Sequence, residues 1–220
     1  QFAAELGLAE PLICFQGGVI FDPRSRSILH ETRLPAGAIP VIARLAAEHG
    51  WHLQFETPYL IYLPRESNHS QELFDLLRVS NWTRVDDFLT GLPETPHKFI
   101  LSVHDRDERD RVAAELRAAV EEHLPGQLTI VPSHPILIEG LPRGLDKGAG
   151  LAWLADHLGI ARAEVLAVGD NDNDAEMLAW AGLGAAMSDG SPAARAAADV
   201  LLPPVSADGA AVALEQWVIR

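Results

Sequence analysis

Residues Asp170, Asn171, Asp172, Asn173 and Asp174 set three carboxylates and two carboxamides in five consecutive positions, directly after the apolar run Val165-Leu166-Ala167-Val168 and Gly169. Oxygen ligands at this density suit a hard cation such as Mg²⁺, which binds one or two carboxylates and keeps several waters. The helix expected to open at Asn173-Asp174 would turn its N-terminus toward the same spot and favour an anion such as phosphate. Helix capping accounts for one of these acids, not for three. A calcium loop of the D-x-D-x-D-G type also begins with Asp170, Asp172 and Asp174. It fails further on, because its sixth position is Ala175 where Gly is needed and its twelfth is Ala181 where a bidentate Glu should stand. Metal or phosphate chemistry is the expectation here.

A second stretch, "GLDKGAGLAWLADHLG" from Gly144 to Gly159, reads as a helix with Asp146 as N-cap and Lys147 as its first residue. Of the 17 Lys plus Arg in the chain, only Lys98 and Lys147 are lysines. A compact ammonium suits a point contact to a phosphoryl oxygen or a carboxylate. A cation at a helix N-terminus also opposes the helix dipole, so its removal is expected to cost the substrate-free fold nothing. Other candidates weigh less. His104 in "VHDRDERD" reads as a solvated loop and helix start. Asp22 ends an apolar strand, but Arg24 stands where a phosphoryl-accepting Asp needs a second acid, and Asp22 reads as a turn former. The nine histidines show no metal-ligand spacing, and no Ser or Cys sits in a nucleophile elbow.

These residues need a scaffold. With 220 residues and 48% hydrophobic content the chain can fill a substantial core. Its net charge of −14, with no local basic patch, repels phosphate backbones and anionic lipid, so neither nucleic acid nor membrane is an expected partner. No apolar run reaches the ~18 residues of a membrane span. The lone Cys14, in "PLICF", forms no internal disulfide and reads as a buried small hydrophobe, which fits a reducing, cytoplasmic setting.

Along the chain, residues 1 to 8 read as the tail of a helix, and "LICFQGGVIF" and "SILHETRL" as strands. A helix follows over 37–49, then a hairpin of "WHLQFE" and "YLIYL" about Thr57-Pro58, and a helix over "SQELFDLLRVS". "KFILSVH" is a strand, "DERDRVAAELRAAVEEHL" a long helix, and "QLTIVPS" with "PILIEGL" a strand pair. This portion reads αββ(α)βαββ, an antiparallel sheet with helices on one face. From Leu145 the rhythm becomes strict alternation: helix 147–158, strand 164–168, helix 172–181, strand 183–187, a short helix from Pro192, strand 199–202 and helix 207–218. Such alternation implies a parallel sheet with crossover helices, whose ligands bind at the carboxyl ends of the strands, where Gly169-Asp170 falls.

On these pieces the sequence resembles the haloacid dehalogenase superfamily, specifically its Cof-type phosphatases with a large α/β (type IIB) cap inserted into the core. The resemblance is carried by "PLICFQGGVIFD", "ILIEGLPRGLDKGAGLAWLADHLGI", "AADVLL" and above all "VLAVGDNDNDAEMLAWAGLGAAM", where Gly169 to Leu178 meets a Gly-Asp-x-x-Asn-Asp-x-x-Met-Leu pattern. It implies an α/β fold: a Rossmann-like parallel-sheet core over 1–35 and 142–220, with an α+β cap over 36–141. It also implies a Mg²⁺-dependent phosphatase of small phosphorylated metabolites that works through an aspartyl-phosphate intermediate, with the cap closing over the substrate. Lys147 would neutralise the phosphoryl group and the attacking carboxylate, Asp170 would bind Mg²⁺, Asp174 would support the metal site, and Asn173 would touch the phosphate.

Three departures stand out. Gln16-Gly17-Gly18 replaces the family's usual Asn-Gly-Ala, and Ser188-Asp189 follows Met187 where Gly-Asn is common. More important, the family's first motif, an Asp-x-Asp that supplies nucleophile and general acid, and its phosphate-binding Ser or Thr motif do not occur in residues 1 to 220. The chain begins Gln1-Phe2, and its two methionines are Met177 and Met187. The expectation is a longer natural protein, with both motifs and a central strand upstream of Gln1. The rival is a non-catalytic binder of phosphorylated metabolites that keeps only half of the site.

Overall fold

The computed structural model describes residues 5–65 and 81–219, which fall into two compact units: one of residues 1–31 and 145–220, the other of residues 32–144.

The first unit opens with an antiparallel sheet of β1 (Leu12–Cys14), β2 (Val19–Asp22) and β3 (Ser27–Glu31). The turn between β1 and β2 places Phe15, Gln16 and Gly17 at φ of 53°, 54° and 94°. A non-glycine residue in this left-handed region costs roughly 1–2 kcal/mol. Packing compensates for that cost. A Cβ on Gly17 would lie 2.2 Å from the Asp146 carbonyl oxygen, and one on Gly150 would lie 2.6 Å from Gly17 Cα. Only two glycines let the turn and the helix beyond Asp146 approach this closely. Asp22 caps the β2–β3 turn through Arg24 and Ser25, as a turn former should.

The second unit runs α1 (Ala38–His49), β4 (His52–Glu56), β5 (Ile61–Pro64), β6 (Trp82–Val85), α2 (Phe88–Gly91), β7 (Lys98–Ser102), α3 (Arg106–His123), β8 (Leu128–His134) and β9 (Leu137–Pro142). Its six-stranded sheet has the order β6-β5-β4-β7-β9-β8. The sheet is not antiparallel throughout as expected, because β6 is an additional strand and pairs parallel to β5. The helix expected over "SQELFDLLRVS" lies outside the described residues. Period-2 alternation divides the sheet into two faces. Leu53, Phe55, Phe99, Leu101 and Ile138 share a core with Ile42 and Leu45 of α1 and Val112 and Leu116 of α3, each worth roughly 1.5–3 kcal/mol when fully buried. The opposite face of the central strands carries Gln54, Glu56, Lys98 and Glu139, all shielded from solvent, with Lys98 Nζ 2.8 Å from Glu139 and 3.3 Å from Glu56. Asp105 caps α3 by accepting the Glu108 N–H, and Glu108 accepts the His104 N–H, so His104 belongs to a helix start.

The chain then returns to the first unit with α4 (Lys147–Leu158), β10 (Leu166–Gly169), α5 (Ala175–Trp180), β11 (Leu183–Met187), α6 (Pro192–Ala197), β12 (Val200–Leu202) and α7 (Gly209–Trp217). Strands β10, β11 and β12 form a parallel sheet, as the helix–strand alternation requires. Its core is built from small side chains, Ala167, Ala181, Ala186 and Ala194 around Leu178, which let α5 and α6 sit close on the strands. Helix α4 starts at Asp146, whose Oδ1 accepts the Ala149 N–H at 2.7 Å, and ends at Gly159 with φ 68°. No described helix is long and apolar enough to cross a membrane.

Candidate active site

The structure brings Lys147, Asp170, Asn173 and Asp174 to the carboxyl end of β10. Lys147, Asp170 and Asp174 line a cavity of about 400 Å³ together with Gln16 and Gly17, over apolar walls of Ile13, Leu151, Val168 and Met177. Two chain segments do the positioning. The strand ends at Gly169 because a Cβ there would lie 2.5 Å from the Asp174 Cβ, so the turn back toward Asp174 needs a glycine. The cap at Asp146 then fixes the first turn of α4, which carries Lys147.

Asp174 is the organiser. It is 4% exposed, and both of its oxygens are engaged. Oδ1 accepts from Lys147 Nζ at 2.6 Å, and Oδ2 accepts the backbone N–H groups of Asp170 and Asn171, each at 2.9 Å. Burial pushes its carboxyl up, but the Lys147 hydrogen bond, the two backbone donors and the Lys147 charge outweigh burial and hold it below the ordinary carboxylate range. The expected helix over 172–181 is thereby divided. Residues Asp172–Asp174 form a single 3₁₀ turn and α5 begins only at Ala175, because the Asp174 side chain ties down the N–H groups that precede the helix. At six residues, α5 has little dipole with which to hold an anion. Positive charge at this site comes from Lys147.

Asp170 keeps its carboxylate beside the cavity, with one oxygen accepting from the Asn171 amide at 3.2 Å. Asn173 donates its amide to Gln16 Oε1 at 3.0 Å across 157 positions of sequence. Asp172 is exposed and joins none of these contacts. Gln16 was visible in the sequence only as a departure from Asn-Gly-Ala, and its position at the site comes from the left-handed turn that carries it. Cys14 is a free, half-buried thiol whose pKa is pushed up by burial, as befits a packing residue.

The donor set suits Mg²⁺ in part. Asp170 offers one hard oxygen ligand facing open space, and Asp174 holds the loop that presents it. No group of three or more His, Cys, Asp or Glu able to enclose a metal exists among the described residues. Mg²⁺ ordinarily takes one or two carboxylates and completes its octahedron with water and phosphate oxygens, so a single Asp at an open cavity is compatible with it.

A parallel α/β core split by an inserted mixed α/β unit, with Lys, Asp and Asn at one strand end, defines a phosphate-directed hydrolase architecture. The chain belongs to the haloacid dehalogenase-like hydrolases, whose family model matches residues 1–214. A similar solved structure, a haloacid dehalogenase-like hydrolase from Bacteroides thetaiotaomicron, is 26% identical, aligns with a TM-score of 0.83, and is covered to 80% by 98% of this chain. The 5-amino-6-(5-phospho-D-ribitylamino)uracil phosphatase YitU of Bacillus subtilis is 26% identical over 219 residues, 99% of this chain and 79% of that protein. The chloroplastic endoribonuclease YBEY of Arabidopsis thaliana is 34% identical over 111 residues, which are half of this chain and only 19% of that protein. The chain thus spans part of the length of each of these relatives, and a small part of the last.

Proposed function

We propose that this chain carries the machinery of a Mg²⁺-dependent phosphatase that acts on a small phosphorylated metabolite. The observation that carries the reading is the convergence, at one strand end, of an ammonium held by a buried carboxylate and a second carboxylate left facing the same cavity. Asp170 would hold the cation. When bound, Mg²⁺ neutralises phosphoryl oxygens and aligns them for attack. Lys147 would sit against the developing negative charge of the transferring group, already oriented by Asp174 and so needing no reorganisation. Asn173 would donate an amide hydrogen to a phosphoryl oxygen.

The attacking carboxylate is proposed to come from a strand outside residues 1–220, seated beside β10. Among the described residues β10 pairs only with β11, and Ile13 of β1 and Val168 of β10 both line the cavity. A further strand there would satisfy the open backbone edge and end beside Asp170 and Lys147. The substrate class proposed is a phosphate monoester of a sugar or sugar alcohol, on the strength of the name of YitU.

The test is phosphate release by the natural-length protein from sugar phosphates, nucleotides, flavin mononucleotide and pyridoxal phosphate, with Mg²⁺ and with a chelator. Release that requires the metal, highest with a sugar or polyol phosphate, is expected. Absence of metal-dependent release from every compound overturns the reading.

A further inference from the structure

The turn that carries Gln16 is strained, and the strain is directed. Phe15 and Gln16 both adopt the left-handed region, where neither side chain is at ease. Gly17 is pressed onto the Asp146 carbonyl just ahead of Lys147. The result brings the Gln16 side chain to the cavity, where its Oε1 accepts from Asn173 Nδ2 at 3.0 Å. Asn173 makes no other side-chain hydrogen bond among the described residues. A carboxamide is planar and carries two N–H bonds about 120° apart on one nitrogen. Once one of them is committed to Gln16, the plane of the amide is set and the direction of the other follows.

We propose that Gln16 is a positioning residue that sets the Asn173 amide so that its second N–H points at the phosphoryl group. The assignment rests on the reading of Asn173 as a phosphate donor. Gln16 acts through Asn173: it lowers the conformational freedom of a donor that would otherwise have to be ordered when the ligand binds. The alternative is that residue 16 matters only to the turn, and the two roles predict opposite signs for one substitution. Gln16→Gly removes the carboxamide and also relieves the left-handed strain. A turn residue replaced by Gly should leave both stability and function intact or better. A positioning residue so replaced should leave stability intact while function falls.

The experiment uses the natural-length protein, with inorganic phosphate as a ligand that requires no turnover. Gln16→Gly is expected to melt no lower than the parent, to bind inorganic phosphate roughly 10-fold more weakly by calorimetry, and to lose a similar factor in kcat/KM on the best substrate. Gln16→Asn, whose shorter carboxamide tolerates the left-handed region, should recover part of both losses. In an Asn173→Ala background the effect of Gln16→Gly on phosphate binding should vanish, because the residue through which it acts is gone. The inference is overturned if Gln16→Gly binds phosphate as the parent does, if it melts several degrees lower with function lost in step, or if its effect persists undiminished without Asn173. A parent protein that binds phosphate but hydrolyses nothing would sink the phosphatase reading and leave the binding cycle to decide on Gln16 by itself.

Discussion

Lys147 Nζ lies 2.6 Å from Asp174 Oδ1, a contact between the first residue of α4 and the residue that immediately precedes α5. It changes what the helix dipole alone suggests about Lys147. A cation at a helix start is unfavourably placed, yet here it faces a carboxylate that is almost fully enclosed.

Removing Lys147 leaves Asp174 buried with only its two backbone donors. Lys147→Ala is therefore expected to destabilise the substrate-free protein by about 1–3 kcal/mol, the range for losing a charged hydrogen-bond partner of a buried group. In a chain of this size that is a fall of several degrees in Tm, read by thermal unfolding at pH 7. The folded-state pKa of Asp174 is lowered, so the pair stabilises the fold above the ordinary carboxylate range and its contribution disappears as pH falls through the folded value. The Tm gap between parent and Lys147→Ala should accordingly narrow below about pH 4. A gap that stays constant down to pH 3 would show that the loss comes from packing of the lysine stem.

Asp170→Asn keeps the shape of the residue and removes its charge. In the natural-length protein it should raise the Mg²⁺ concentration needed for half-maximal activity and lower kcat together, because an amide oxygen is a weaker ligand for a hard cation. Lys147→Ala should instead lower kcat by on the order of 10²-fold with little change in Mg²⁺ requirement. Titrating activity against Mg²⁺ separates the two, and identical metal curves for both variants would count against the division of labour between them.

Much of the scaffold was legible because its signals are local. Asp146 and Gly159 bracket α4, and Pro192 follows the Ser191 that caps α6, so both helices begin where their caps stand. The alternation after Leu145 was enough to give parallel strands. Strand β6 was not legible: "NWTRV" is short and only half apolar, and its pairing with β5 is parallel and non-local, so nothing in its own pattern names a partner. At the site, the residue types in "GDNDND" raise the expectation of metal or phosphate, but which acid faces outward depends on the turn at Gly169. The two lysines were the better clue to electrostatics. In a chain that otherwise uses arginine, each of them bridges to a buried carboxylate.

Gly17→Ala tests whether the strained turn and the start of α4 are mechanically joined. A methyl group at Gly17 would meet the Asp146 carbonyl at 2.2 Å, backbone against which nothing flexible can yield, and the φ of 94° is foreign to alanine. Either the turn or the first turn of α4 must move, and Lys147 follows Asp146 directly. Gly17→Ala should lower Tm and phosphate affinity together, whereas Gly126→Ala, at φ 67° with open space around it, should lower Tm slightly and leave phosphate affinity unchanged. Equal phosphate affinity in both variants would show that the turn does not govern the site.

The most demanding prediction concerns Lys98, in the inserted unit, where burial of the ammonium is outweighed by Glu56 and Glu139 and its pKa is raised. Each of the three side chains is less than 15% exposed, and Gln54 adds a 2.6 Å hydrogen bond to Glu56. Lys98→Met preserves the stem and removes the ammonium that sits between two buried carboxylates, Glu56 on β4 and Glu139 on β9, the strands that flank β7. Breaking a buried pair in this way costs about 3–5 kcal/mol. Deprived of the Lys98 charge, the two carboxylates should take up protons more readily in the folded state, their pKa values rising above those of the unfolded chain. With more protons bound folded than unfolded, stability must fall as pH rises. Lys98→Met should therefore melt far below the parent at pH 8 and regain much of the difference as pH is lowered toward 5. Adding Glu56→Gln and Glu139→Gln to Lys98→Met should flatten that pH dependence, since neither carboxylate is left to take up a proton. Melting curves of the three proteins from pH 5 to 8 provide the check, and a pH-independent deficit in Lys98→Met would assign the loss to packing and not to charge.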